Sequence, residues 1–251
     1  TLVFDCTNSN SFSLVDVWAS NSAGKQNYGT TYVLVQDNAN VCNTAAAGCS
    51  PVAVAYNGLA VDISYGPVTI PATAFDAGSF NDCGSGTLSF SVSRSGALSP
   101  QETITLSCND PELLIVELYV SNGTFTTTVE TYIAIQSNAV QCPGPPPAAC
   151  GPAPLMMNGI VVALPPIGQV DLPVSVFERG SIDGCNSGNL DLGIARKGQS
   201  PSFGTASASL TCQDNETNIL DLYARDAGGA QTYVESYVVL QENVPILVAC
   251  P

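Results

Sequence analysis

The sequence predicts an all-β chain of tandem immunoglobulin-like β-sandwich domains, about seven strands each and stapled by disulfides. Three observations carry this. A module of about 100 residues recurs, short alternating apolar segments are separated by turn residues, and the ten cysteines follow the repeat. No 3.6-residue apolar period is sustained anywhere, so no helix is expected.

The register of the repeat is set by matched residues. Cys6, Cys108 and Cys212 correspond. Asp16, Glu117 and Asp221 each stand two residues before an aromatic: Trp18, Tyr119 and Tyr223. Tyr32, Tyr132 and Tyr237 each precede Gln36, Gln136 and Gln241 by four residues. Cys83 matches Cys185, and Arg94 matches Arg196. A domain-sized period follows, rather than a solenoid turn. The expected organisation is the C-terminal half of a repeat (1–42), a linker (43–48), a complete repeat (49–142), a Pro-rich linker (143–149) and a second complete repeat (150–251). The Pro-rich joint is expected to be semi-rigid. The half-repeat at 1–42 cannot close a sandwich alone, so its apolar face is expected to be covered by a segment outside these 251 residues or by another copy.

Within the second repeat, strands are expected at 51–55, 58–63, 67–74, 87–93, 101–108, 112–120 and 124–135, with turns at Tyr65-Gly66-Pro67, Ser95-Gly96, Asn109-Asp110-Pro111 and Ser121-Asn122-Gly123. Alternation sends Val116, Leu118 and Val120 to one face and Glu117 and Tyr119 to the other. The third repeat does the same with Leu220, Leu222 and Ala224 against Asp221 and Tyr223.

Composition excludes several function classes. Six basic residues against 21 acidic ones, a net charge of −15, cannot neutralise a run of phosphates, so nucleic acid is not a partner. No apolar run approaches the ~20 residues of a membrane helix. The chain has no His, so a Ser-His-Asp or Cys-His site cannot be built, and no nucleotide-binding glycine motif stands between a strand and a helix. The chain is therefore read as a non-enzyme without cofactor.

Heavy cysteine use without Cys-x-x-Cys pairs points to disulfides in an oxidising compartment, hence an extracellular or cell-surface location. The expected bonds are Cys83–Cys108 and Cys185–Cys212 within repeats, and Cys42–Cys49 and Cys142–Cys150 across the joints. Cys6 is left to an upstream partner and Cys250 to a following unit. Chain ends leaving opposite poles would lie too far apart to bond within a repeat. Pairing of the boundary cysteines between neighbouring chains is the alternative.

Two readings fit the acidic loops. Asp76, Asn81 and Asp82, with Glu178 and Asp183 in the next repeat, are hard oxygen ligands at Ca²⁺-loop spacing. They also suit turns whose side chains cap backbone amides, and the short ligand count favours the turns. Trp18, Tyr119 and Tyr223 are candidates for an adhesive strip or for ordinary cross-strand pairs with β-branched neighbours, while Trp18, Tyr28, Tyr119 and Tyr223 gathered on one concave face would mark a carbohydrate-binding module. Arg94 and Arg196 are expected to form structural ion pairs. Asn122-Gly123-Thr124 and Asn215-Glu216-Thr217 fit the glycosylation sequon, which has meaning only in a eukaryotic secretory setting.

The segments FDAGSFNDCG with ITLSCNDPELLIVELYVSNG, and FERGSIDGCN with ASLTCQDNETNILDLYARDAGG, resemble the HYR-like, immunoglobulin-like repeats of very large bacterial surface proteins of the Bacteroidetes type. The resemblance covers nearly the whole chain. It implies an exported adhesin or filament, with neighbouring repeats or copies of the same protein as partners, and surface glycans or other cells beyond them. The expected role is a structural and adhesive segment that forms a stiff, protease-resistant stalk. The competing expectation is a carbohydrate-binding β-sandwich module.

Overall fold

A computed structural model describes residues 2–38, 42, 49–82, 84, 86–138, 150–185, 188–204 and 206–243. The first repeat contributes β1 (Ser11–Ser20) and β2 (Gln26–Val35). The second contributes β3 (Pro51–Val52), β4 (Leu59–Asp62), β5 (Val68–Pro71), β6 (Phe80–Asn81), β7 (Ser89–Arg94), β8 (Thr103–Leu106), β9 (Leu113–Ser121) and β10 (Thr126–Gln136). The third contributes β11 (Pro152–Ala153), β12 (Leu155–Met157), β13 (Ile160–Ala163), β14 (Gln169–Pro173), β15 (Ile182–Asp183), β16 (Asp191–Arg196), β17 (Ser202–Phe203), β18 (Ser207–Thr211), β19 (Thr217–Arg225) and β20 (Gln231–Gln241). Among the described residues there is no α-helix, and the fold is an all-β, immunoglobulin-like sandwich.

The chain forms two compact units that do not coincide with the sequence repeats. Unit one comprises Thr1–Ser13, Tyr32–Leu59 and Pro67–Ile135, and unit two comprises Leu14–Thr31, Ala60–Gly66 and Gln136–Pro251.

In unit one, β7, β9 and β10 form an antiparallel sheet. Alternation along β9 buries Leu114, Val116, Leu118 and Val120, while Glu117 and Tyr119 take the other face. Ile70, Phe75, Ile104, Leu106 and Ile133 of the same unit are likewise buried. Each such large side chain contributes about 1.5–3 kcal/mol by leaving water. The expected strand at 67–74 stops at Pro71. Proline donates no ladder hydrogen bond, and Ala72–Phe75 turns as a 3-10 helix that drops Phe75 into the core. The third repeat does the same at Pro173, where Val174–Val176 delivers the buried Phe177. In unit two the sheet order is β13-β20-β19-β16-β17, with β13 parallel to β20 and the other pairs antiparallel. Leu220, Leu222 and Ala224 face the core as alternation requires.

The disulfides depart from the expected pairing. Cys6 bonds Cys42, with Cα atoms 5.3 Å apart, and Cys150 bonds Cys185, with Cα atoms 5.1 Å apart. The expected bonds Cys42–Cys49, Cys142–Cys150 and Cys185–Cys212 are therefore corrected, and Cys6 needs no upstream partner. The bonds form instead between adjacent strand ends. Cys6 precedes β1 and Cys42 follows β2, and these two strands pair in one sheet, so the residues flanking the hairpin meet at its open end. β11 and β15 are antiparallel in the register Pro152↔Asp183, which places Cys150 opposite Cys185. β3 and β6 repeat that ladder with Pro51↔Asn81. Cys49, Cys108 and Cys212 are also disulfide-bonded. The expected bond Cys83–Cys108 involves Cys83, which lies outside the described residues, as do Cys142 and Cys250.

Candidate functional site

The acidic loop residues are spent on backbone amides. Asp76 accepts from Gly78 N at 3.2 Å and Ser79 N at 2.8 Å. Glu178 does the same for Gly180 N and Ser181 N, and also accepts from Ser181 Oγ. Asp82 accepts from Ser50 N, and Asp183 from Cys185 N and Gly188 N. Asn81 receives one hydrogen bond from Asn122 Nδ2, at 3.1 Å. This is the turn-capping role, and it leaves little carboxylate capacity for a cation. Asp183, Cys185 and Asp226 do approach one another. The Cys185 sulfur is bonded to Cys150 and offers no thiolate.

Both arginines form the expected ion pairs. Arg94 meets Asp110 at 2.7 Å and donates to Thr105 O; Arg196 meets Asp214 and donates to Ser209 O. Each carboxylate also accepts a backbone N–H, from Ser107 and Thr211 respectively, so the pair ties the end of β7 to the turn after β8, and the end of β16 to the turn after β18. Arg196 holds the Asp214 carboxyl well below its ordinary value, at about 2. A depressed folded-state pKa stabilises above the unfolded value, near 3.9, and that stability is lost as pH falls toward 2. Solvent screening limits the contribution to about 1 kcal/mol. Burial raises Asp62 and Asp221, whose protonation on acidification acts in the opposite sense. Urea unfolding of Asp214→Asn against the parent is therefore expected to show a gap of about 1 kcal/mol at pH 6 that closes by pH 2. An undiminished gap at pH 2 would assign the loss to packing instead.

The aromatic residues make local contacts within their units. Trp18 stacks on Tyr28 with ring centroids 4.5 Å apart. Tyr119 lies opposite the β-branched Thr128, and its hydroxyl donates to Glu117. Tyr223 lies opposite Tyr233, rings 5.1 Å apart, with Phe203 on its edge and Arg225 over Phe203. Asn122 of the first sequon donates to Cys49 O and Asn81 Oδ1 and accepts from Thr124 N and Phe125 N, so its amide organises the turn. Asn215 of the second is exposed.

The most regular contact is one the sequence reading passed over. Gln36, Gln136 and Gln241 each clasp one strand residue with both ends of the side-chain amide. In unit one, Gln36 Nε2 donates to Glu130 O and Gln36 Oε1 accepts from Glu130 N. In unit two, Gln136 clasps Glu235, and Gln241 clasps Thr30, in the same way at 2.7–3.0 Å. Asn38, Asn138 and Asn243 then bridge each glutamine oxygen to a carbonyl two residues earlier, at Thr128, Tyr233 and Tyr28. The amide imitates a neighbouring strand and satisfies an open edge. The signal was present as a thrice-repeated Gln-x-Asn. Each clasp joins two different sequence repeats: first to second, second to third, and third to first.

Several large apolar side chains of the first repeat remain exposed: Phe12, Tyr32 and Leu34 in unit one, and Leu14, Val17 and Trp18 in unit two. Among the described residues no helix is long and apolar enough to cross a membrane.

No family model matches the chain, and no curated protein does. Similar solved structures include an endo-fucoidan hydrolase of glycoside hydrolase family 107, at TM-score 0.27 and 12% identity, covering 94% of this chain and 34% of that one. The chain thus spans about a third of that protein's length. The neural ectodermal development factor IMP-L2 matches at TM-score 0.31 and 8% identity, over 80% of this chain and 99% of that one. Human protocadherin-24 EC1-2 matches at TM-score 0.26 and 14% identity, over 78% and 99%.

Proposed function

We propose that the chain is a structural and adhesive segment of a long extracellular surface protein or filament, of the kind its HYR-like sequence framework resembles. The observation that carries this is the bracing of repeat to repeat. Gln-x-Asn clasps join the first repeat to the second, the second to the third and the third to the first, and disulfides close strand ends within the first and third repeats. Such bracing serves stiffness and resistance to proteases, and the disulfides suit an oxidising exterior. In this reading the chain carries no catalytic residue and needs no cofactor, and its partners are neighbouring repeats, further copies or surface glycans. Antibody labelling of intact producing cells, paired with trypsin digestion of the purified chain, tests it. Surface labelling and a digestion half-life at least tenfold longer before reduction than after are expected. Label reached only after permeabilisation, or equal half-lives, would overturn it.

A carbohydrate-binding module is the second reading, favoured by one observation: Trp18 is 59% exposed while stacked on Tyr28. A sugar ring needs such a face, and retention on a glycan array lost in Trp18→Ala would select this reading.

A further inference from the structure

We infer that the groove over β16, β19 and β20 in unit two is a binding site for an organic cation, a primary ammonium or guanidinium group on an alkyl stem. The groove has a volume of about 430 Å³ and is lined by Lys197, Asp221, Tyr223, Gln231, Tyr233 and Glu235 among others. Asp221 is 4% exposed. Its Oδ2 accepts from Gly198 N at 3.1 Å, while its buried Oδ1 has no hydrogen-bond donor. A buried carboxylate oxygen without a donor is costly, and a ligand that brings one recovers that cost.

The other repeats act as internal controls. Glu117 occupies the equivalent place, opposite Glu130 as Asp221 is opposite Glu235. There Tyr119 donates to one carboxylate oxygen and Gly96 N approaches the other at 3.5 Å. In the first repeat, Thr30 Oγ1 donates to Asp16 at 2.7 Å. In the third repeat the acid is one methylene shorter than Glu117, so it does not reach the tyrosine two residues on, and Oδ1 stays open.

Charge decides the ligand class. Lys197 Nζ is committed to Glu235 at 2.8 Å, which leaves one positive charge against two carboxylates. The Tyr223 and Tyr233 rings line the same groove, and their faces favour cations over neutral or anionic groups. Two carboxylates, one already paired, are too few for Ca²⁺. A neutral polyol would supply hydrogen bonds but leave the excess charge.

The test is NMR titration of the full oxidised chain, following the Tyr223 and Tyr233 ring resonances. The probes are n-butylammonium, Nα-acetyl-lysine methylamide, glucose, and KCl at matched ionic strength. Saturable shifts with both amines, at dissociation constants on the order of 1 mM for so small a ligand, are expected, with none from glucose or KCl. Tighter binding of the lysine derivative identifies a partner's lysine side chain as the source; equal binding identifies a free amine. Asp221→Asn is expected to weaken binding at least tenfold. Asp221→Glu is the second variant, since Glu117 shows that a glutamate fits this position and closes on its tyrosine; it too is expected to abolish binding in a folded chain. Amine shifts that persist in Asp221→Glu, glucose shifts equal to those of the amines, or no saturable shift at all would overturn the assignment.

Discussion

Replacing Cys150 and Cys185 together by serine is expected to lower the thermal midpoint of the third repeat by roughly 10 °C. The bond closes a segment with a sequence separation of 35 residues. Loop entropy alone gives about 4 kcal/mol for a loop of that length, and a chain of this size shifts by about 2–4 °C per kcal/mol. The bonded ends flank the short ladder between β11 and β15, which has only two residue pairs to hold it without the sulfur link. The matching Cys6, Cys42 serine variant should behave differently. Its loop is nearly the same length, but the strands it brackets bury little, since no residue of β1 or β2 is fully buried. Faster amide exchange across Ser11–Val35, with a smaller change in the main transition, is expected there. Calorimetry and hydrogen exchange on both variants check this. Equal midpoints for the parent and the Cys150, Cys185 variant would remove the clamp from the account of stability.

Gly58→Ala should be among the most damaging small substitutions. Gly58 has φ +94°, and a Cβ there would stand 2.2 Å from Cζ of Tyr132, whose ring lies flat across the glycine. Gly159 repeats the arrangement, with φ +144° and Tyr237 at the same distance. Backbone strain and displacement of a ring held on β10 together cost about 3 kcal/mol or more. Gly96→Ala is the control. It has φ +79° but open space around it, so only the conformational cost of about 1 kcal/mol is expected. Denaturant unfolding of Gly58→Ala, Tyr132→Ala and the double variant should give a coupling of at least 1 kcal/mol, because the clash vanishes once the ring is gone. Additive losses would show that the ring moves aside freely.

The parts of this fold that were legible are those where one residue's neighbours along the chain decide its environment. Val116, Leu118 and Val120 alternate with Glu117 and Tyr119, and a pleated strand has no other way to arrange them. Arg94 and Arg196 recur beside a turn carrying an aspartate, so their ion pairs were visible as a pattern. The strand expected at 67–74 ends instead at Pro71, because the 3-10 turn after it depends on Phe75 finding the core, which alternation along the chain does not encode. The glutamine clasps left a clear trace in the repeated Gln-x-Asn. Their partners, however, lie 94, 99 and 211 residues away, a distance that no local rule spans.

By itself the sequence determined that the chain is all-β, that its module recurs, and that its cysteines are oxidised, because alternation, period and composition act through near neighbours. Only the tertiary structure decided which cysteines bond and which strand edges the glutamines cover. It alone also left the Asp221 oxygen open while its counterparts are satisfied. The pairings depend on strand register, as where a two-residue ladder between β11 and β15 sets Cys150 against Cys185, and the open oxygen depends on which donor faces the carboxylate: Thr30 closes Asp16 and Tyr119 closes Glu117, while nothing donates to Asp221 Oδ1.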